Sequence, residues 1–149
     1  MKPTINPNFT PLYRCELQVR VTDLNYGNHL SNDCILSYFH EVRVQWLSHH
    51  QLSEQDVGGC GLIMTGTHIN YLSQGHLHQQ LSLELGVSQI GKARFSLIYK
   101  LSDHLKGSVI ALGETHMGCF DYQRQKPARA PEALLAILGS SPREAQQRD

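Results

Sequence analysis

The sequence predicts an α+β domain in which a curved antiparallel sheet of about five strands rolls around one long helix. Three observations predict it. A single stretch, from about Asp33 to His49, carries apolar residues at helical spacing over several turns. Most of the remaining apolar residues fall in alternating runs of strand length, separated by short turns. The 149 residues are enough to bury one real core and need no second domain, so a single domain over residues 1–139 is expected.

The first strand runs from Cys15 to Val21, with Cys15, Leu17, Val19 and Val21 on one face and Arg14, Glu16, Gln18 and Arg20 on the other. A polar loop, Thr22 to Asp33, follows. In it Tyr26-Gly27 supplies the bend, and Ser31, Asn32 or Asp33 can cap the helix by accepting from its first N–H groups. Along the helix Ile35, Leu36, Phe39, Val42, Trp46 and Leu47 form a broad apolar face. Ser48 to Gly61 is polar, with Gly58-Gly59 near its end, and reads as a helix exit and a loop.

Four further strands are expected over about 62–72, 77–90, 93–101 and 108–120. In the second of these Leu77, Leu81, Leu83, Leu85 and Val87 share a face. In the third, Ala93, Phe95, Leu97, Tyr99 and Leu101 do. Turns at Gly91-Lys92 and around Asp103 to Gly107 favour consecutive antiparallel hairpins. After a polar stretch, Pro131 to Leu138 reads as a short helix with Pro at its start and Gly139 after its end. Residues 140–149 read as a disordered tail.

Lys plus Arg equals Asp plus Glu, 13 of each, so the overall charge points to neither a nucleic acid nor an anionic membrane as partner. No apolar run reaches signal-peptide or membrane-spanning length, and a cytoplasmic protein is expected. Cys15, Cys34, Cys60 and Cys119 stand singly, which reads as free thiols rather than a zinc clip or a disulfide framework. His76-x-His78 would hold a metal only with a third ligand that the sequence does not point to, so no metal is expected.

Chemistry concentrates in the polar loop. Asp23, Asn25, Asn28, His29, Asn32 and Gly27 fall directly before helical N–H groups that have no intrahelical partner and can hold a developing negative charge. From Val21 to Trp46 the pattern D-x-N-x-x-N-H-L-x-N, followed by Tyr38-Phe39-His40-Glu41-Val42-Arg43, resembles the hotdog-fold acyl-thioester hydrolases. These include the hydroxybenzoyl-CoA, long-chain acyl-CoA and plant acyl-carrier-protein thioesterases. Asn70-Tyr71-Leu72, Gly91-Lys92-Ala93-Arg94 and Met117 to Asp121 extend the resemblance to roughly residues 12–138.

The resemblance implies a hotdog fold and hydrolysis of an acyl-CoA or acyl-carrier-protein thioester, with coenzyme A part of the substrate and no separate cofactor. It also implies a homodimer or homotetramer in which sheets join edge to edge and the site lies between subunits. An open sheet independently leaves an edge strand that must be paired or blunted.

In the resembling families the second acid of D-x-D is the base, and Asn25 stands there. An amide orients a water or a carbonyl but does not take its proton. A hydrolase with a rearranged acid and a non-catalytic acyl-thioester binding protein of the same fold are therefore both open.

The candidate catalytic residues are Asp23, Asn25, His29 and Asn32. Asp23 either acts in the chemistry or braces the loop by accepting backbone N–H groups. His29 either polarises water or satisfies loop carbonyls. Asn32 donates to the thioester oxygen, caps the helix, or does both. For substrate binding the candidates are Tyr26 and Gly27 in the loop, where Gly27 permits a special backbone conformation or a close approach of substrate. Lys92 and Arg94 are candidates for the phosphates of coenzyme A. Glu41 on the helix is a reserve acid. A hotdog dehydratase would need a Pro-Gly-His-Phe segment that is absent here.

Overall fold

The computed structural model describes residues 4–139; the expected tail over 140–149 lies outside the described residues. The chain runs β1 (Tyr13–Gln18), a 3-10 turn (Val21–Asp23), α1 (Asn32–His49), β2 (Gly61–Tyr71), β3 (Gln80–Ile90), β4 (Arg94–Asp103), β5 (Val109–Asp121), β6 (Lys126–Ala128) and α2 (Glu132–Leu138). The strands form one antiparallel sheet in the order β1-β3-β4-β5-β2, with β6 added against β5.

The two expected hairpins form. Gly91 closes the β3–β4 turn by donating to the Arg94 carbonyl at 2.7 Å. At β4–β5, Gly107 adopts φ 77°, and Asp103 Oδ1 accepts from Leu105 and Lys106 N–H.

The apolar stripe of α1 lies on one sheet face, where Phe39, Val42, Trp46 and Leu47 are buried with Leu81, Leu83, Leu85, Leu97, Tyr99 and Leu101. Phe39 stacks on Tyr99 with ring centroids 4.6 Å apart. It also fills the space a side chain at Gly113 would need. Within this core sits a charged link. Arg43 donates to Glu54 Oε2 (2.7 Å) and to the Tyr99 hydroxyl (2.9 Å), which in turn meets Thr115 Oγ1 at 2.8 Å.

The other sheet face is partly covered by residues 4–12, where Ile5 and Phe9 pack on Ile98 and Leu112. Asn70 Oδ1 holds this strap by accepting from the N–H groups of Thr4 and Ile5, each at 3.0 Å.

Element bounds differ in detail from expectation. β1 ends at Gln18, opposite the first residue of β3, so no ladder reaches Val21; it turns outward in the 3-10 turn and is 71% exposed. Leu77 likewise lies outside β3 and is exposed, because His78 takes the left-handed φ of 64° and the strand starts only at Gln80. The sheet has a sixth strand, β6, whose three residues are too few to show an alternation. At α2, Pro131 is the N-cap rather than the first helical residue, and Gly139 ends the helix at φ 81° as expected. No helix among the described residues is long and apolar enough to cross a membrane.

Candidate active site

The polar loop is fixed at both ends by backbone hydrogen bonds. Val19 N–H donates to the Gln79 carbonyl and His78 N–H to the Val19 carbonyl, both at 3.0 Å, which pins the end of β1 beside the start of β3. The chain then doubles back in a miniature hairpin. Leu24 bridges Leu30, Asn25 N–H donates to the His29 carbonyl (2.8 Å), and Asn28 makes the bend in the left-handed conformation, φ 62°. The special conformation therefore falls on Asn28, a residue type that tolerates it, and not on Gly27.

Asn25 Oδ1 is turned inward and accepts from Gly27 N–H (2.9 Å) and His29 N–H (3.2 Å). This is an Asx turn that locks the loop and fixes the amide. Gly27 sits against the same groups: a Cβ there would lie 3.4 Å from His29 Nδ1 and 3.5 Å from Asn25 Oδ1. A side chain there would crowd both groups. Tyr26 is fully exposed at the tip.

Asp23 is 4% exposed and surrounded by donors. Its Oδ2 accepts from the Tyr38 hydroxyl at 2.6 Å and from Arg20 N–H at 3.0 Å, and the Arg20 guanidinium adds contacts of 3.3 and 3.5 Å. Burial pushes the carboxyl up, but these hydrogen bonds outweigh it and hold Asp23 below the usual aspartate value. Its backbone carbonyl also receives Ser31 N–H at 2.8 Å, so Asp23 ties the loop to α1 through both side chain and main chain. The geometry is that of a brace.

α1 starts with Ser31 as N-cap, its Oγ accepting from Asp33 N–H at 3.3 Å. Asn32 is the first helical residue and exposed, so its amide is not spent on capping.

On the other side of the loop, Leu30 N–H donates to the Gly75 carbonyl (2.9 Å) and His29 forms a β-bridge with His76. The two imidazoles meet edge to face, 5.4 Å between centroids. His76 was visible in sequence only as half of a weak metal motif, and Tyr38 only as a helix residue; neither has a local signal that points to the loop. No group of three or more His, Cys, Asp or Glu among the described residues could hold a metal.

Lys92 and Arg94 are not brought to this loop within one chain. They sit at the β3–β4 turn, and the loop packs at the opposite end of β3, roughly 30 Å away at the usual strand rise. An open groove of about 520 Å³, lined in part by Gln89, Arg94, Ser96 and His116, lies at that end. Glu41 is exposed on α1 and accepts from Gln45 Nε2 at 2.7 Å.

The family model of the thioesterase-like superfamily matches residues 19–138. A 1,4-dihydroxy-2-naphthoyl-CoA hydrolase from Synechocystis is 27% identical over 120 residues, covering 78% of this chain and 87% of the relative. The crystal structure of a Synechocystis 1,4-dihydroxy-2-naphthoyl-CoA thioesterase superposes with a TM-score of 0.78 at 25% identity, over 85% of this chain and 94% of that one. A Staphylococcus aureus protein crystallised in complex with CoA shares the fold, with a TM-score of 0.79 at 19% identity over 91% of this chain and 87% of its own. The sheet wrapped on α1, the braced polar loop at the helix start and the match over residues 19–138 together establish that this chain belongs to the thioesterase-like superfamily, with the hotdog fold.

Proposed function

We propose that the chain hydrolyses an acyl-CoA thioester to the free acid and coenzyme A. The observation that carries this reading is the locked loop, which presents the Asn25 amide and the His29 imidazole in front of the α1 N-terminus within a thioesterase scaffold. Asn25 and His29 hold the attacking water beside the thioester. The first turn of α1, around Asn32, offers the partial positive charge that a developing oxyanion needs. Asp23 acts from behind, holding the loop against Tyr38 and Arg20.

Coenzyme A as carrier is supported by the Synechocystis relative, named for a CoA thioester, and by the Staphylococcus neighbour that holds CoA. An acyl-carrier-protein thioester is the alternative donor.

The site is completed by a second copy. β2 is a sheet edge on which Met64 and Tyr71 are partly exposed. Ile63 and Arg94 both pair with Gly118, so Arg94 lies at the Gly61 end of the sheet; Tyr71 and Leu101 both pair with Ala111, toward the loop's end. Joining two copies antiparallel along β2 lays the Gly61 end of each beside the Tyr71 end of the other. The partner's phosphate-binding candidates thereby approach this chain's loop.

The test is thiol release from short, medium, long and aromatic acyl-CoA thioesters by the wild type beside Asn25→Asp and Asp23→Ala. Turnover by the wild type supports the hydrolase. Release by Asn25→Asp alone would make the native chain a binding protein instead.

A further inference from the structure

Hydrolysis at this loop needs a group that takes a proton from water, and the residues at its two acid positions do not supply one. Asn25 carries an amide. Asp23 is buried beneath the loop, with Tyr38 and Arg20 occupying its oxygens. The carboxylate that remains in the stretch, Asp33, is exposed in the first turn of α1.

The fold instead brings two imidazoles together at the loop. His29 is held by its N–H on Asn25 Oδ1, and His76 arrives from the segment before β3 through the bridge to His29, ring centroids 5.4 Å apart and tilted by 61°. The His76 side chain is exposed, but its backbone is held in place. Its N–H donates to Gln79 Oε1 at 2.9 Å, and Gln79 Nε2 donates to Asp103 Oδ2 at 2.7 Å, so the β4 end fixes the backbone that carries the ring.

The ring nitrogens are consistent with this placement. His40 is tied to Glu54, His68 to Thr4 and Asn70, His104 to Ser82 and Glu16, and His116 to Ser96 and Glu114. Among the described residues, neither His29 nor His76 spends a ring nitrogen on such a partner; the same holds for His49, His50 and His78, but of these five His29 alone lies in the polar loop and His76 alone is bridged to it. A neutral imidazole offers one N–H and one lone pair, which suits it both to hold a water and to take its proton.

We infer that His29 and His76 together form the general base of this site, an imidazole pair in place of a carboxylate. The inference rests on the hydrolase reading above. The water oxygen bonds to the thioester carbon as its proton passes to an imidazole nitrogen of the pair. The C–S bond then breaks with its electron pair leaving on sulfur, and the imidazolium returns the proton to the thiolate. The products are the thiol and the carboxylic acid, which loses its own proton to solvent. His76 is thus a catalytic residue that the loop sequence does not contain.

The experiment compares thiol release from the acyl-CoA panel by the wild type, His29→Ala, His76→Ala, the double variant and Asp33→Asn. Melting curves and added imidazole complete it, with His76→Gln replacing His76→Ala if the latter melts early. The expected result is a loss in kcat/KM of about tenfold or more in each histidine variant. The double variant falls no further than the weaker single one, because the pair acts as a unit. Added imidazole restores part of the rate of each single variant, while Asp33→Asn keeps the wild-type rate. A His76 variant that keeps the wild-type rate, a loss that imidazole does not rescue, or abolition by Asp33→Asn would each overturn the pair while leaving the hydrolase in place. A wild type silent on every thioester overturns both.

Discussion

At the scale of the residue, the telling contrast is between Asp23 and Asn25, two positions apart and given opposite work. Asp23 is buried with donors on it, and Asn25 is exposed with its oxygen spent on the loop's own amides. The Tyr38 phenol is pushed up by burial and by the carboxylate it donates to, the reciprocal of the depression at Asp23. A carboxyl whose folded value lies below its unfolded one stabilises the protein above the unfolded value, and that contribution is lost as pH falls through the folded one. Asp23→Asn should therefore lower the melting temperature at neutral pH and shrink the loss of stability between about pH 4 and lower values. At neutral pH the cost is about 1–3 kcal/mol, since the Tyr38 hydroxyl and Arg20 N–H lose a charged acceptor. Thermal melts of the two proteins across that range check both statements. An unchanged acid limb would remove Asp23 as the brace.

At the scale of the element, α1 was legible because its apolar positions recur at helical spacing, and its observed span, Asn32–His49, differs from the expected one by a single residue at the start. Its polar attachment was not. Arg43 falls on the buried stripe between Phe39 and Trp46, but Glu54, Tyr99 and Thr115, the groups that satisfy it, come from a loop and two strands that local pattern does not connect. Burial pushes the Glu54 carboxyl up, and hydrogen bonds from Arg43 and His40 more than reverse this. Glu54→Ala should destabilise the fold by about 3 kcal/mol, because it leaves a guanidinium in the core without its counter-charge. A double change, Arg43→Met with Glu54→Gln, should recover most of that loss, and chemical denaturation of the three proteins would show it. Strand ends were misread for a related reason: the alternation continues through Val21 and Leu77, but the strand register ends at the Gln18–Gln80 pair and the last backbone bonds between the two segments are made at Val19, and side-chain pattern carries no record of where a ladder ends. Close packing sets a further limit at Gly113. Gly113→Val should cost about 1–3 kcal/mol as Phe39 is forced off Tyr99, visible as a lowered denaturation midpoint.

At the scale of the whole molecule, the loop was legible as a site because its groups are contiguous in sequence, whereas what surrounds it depends on sheet order. The order β1-β3-β4-β5-β2 sets the segment before β3 beside the loop, which is how His76 reaches His29. The same order separates the loop from Lys92 and Arg94 by the length of β3. If the two halves serve one thioester, they do so across a two-fold joint at β2, and that arrangement has a distinctive consequence. Arg94→Ala and His29→Ala damage different halves of each site, so a dimer of either variant has two impaired sites. A mixed dimer collects both lesions in one site and leaves the other intact. Equal mixing with free exchange makes about half the dimers mixed, so roughly a quarter of the wild-type rate should return, measured at low acyl-CoA where loss of phosphate contacts is felt. Were loop and Arg94 to serve the same site within one chain, mixing would return nothing beyond the average of the two variants.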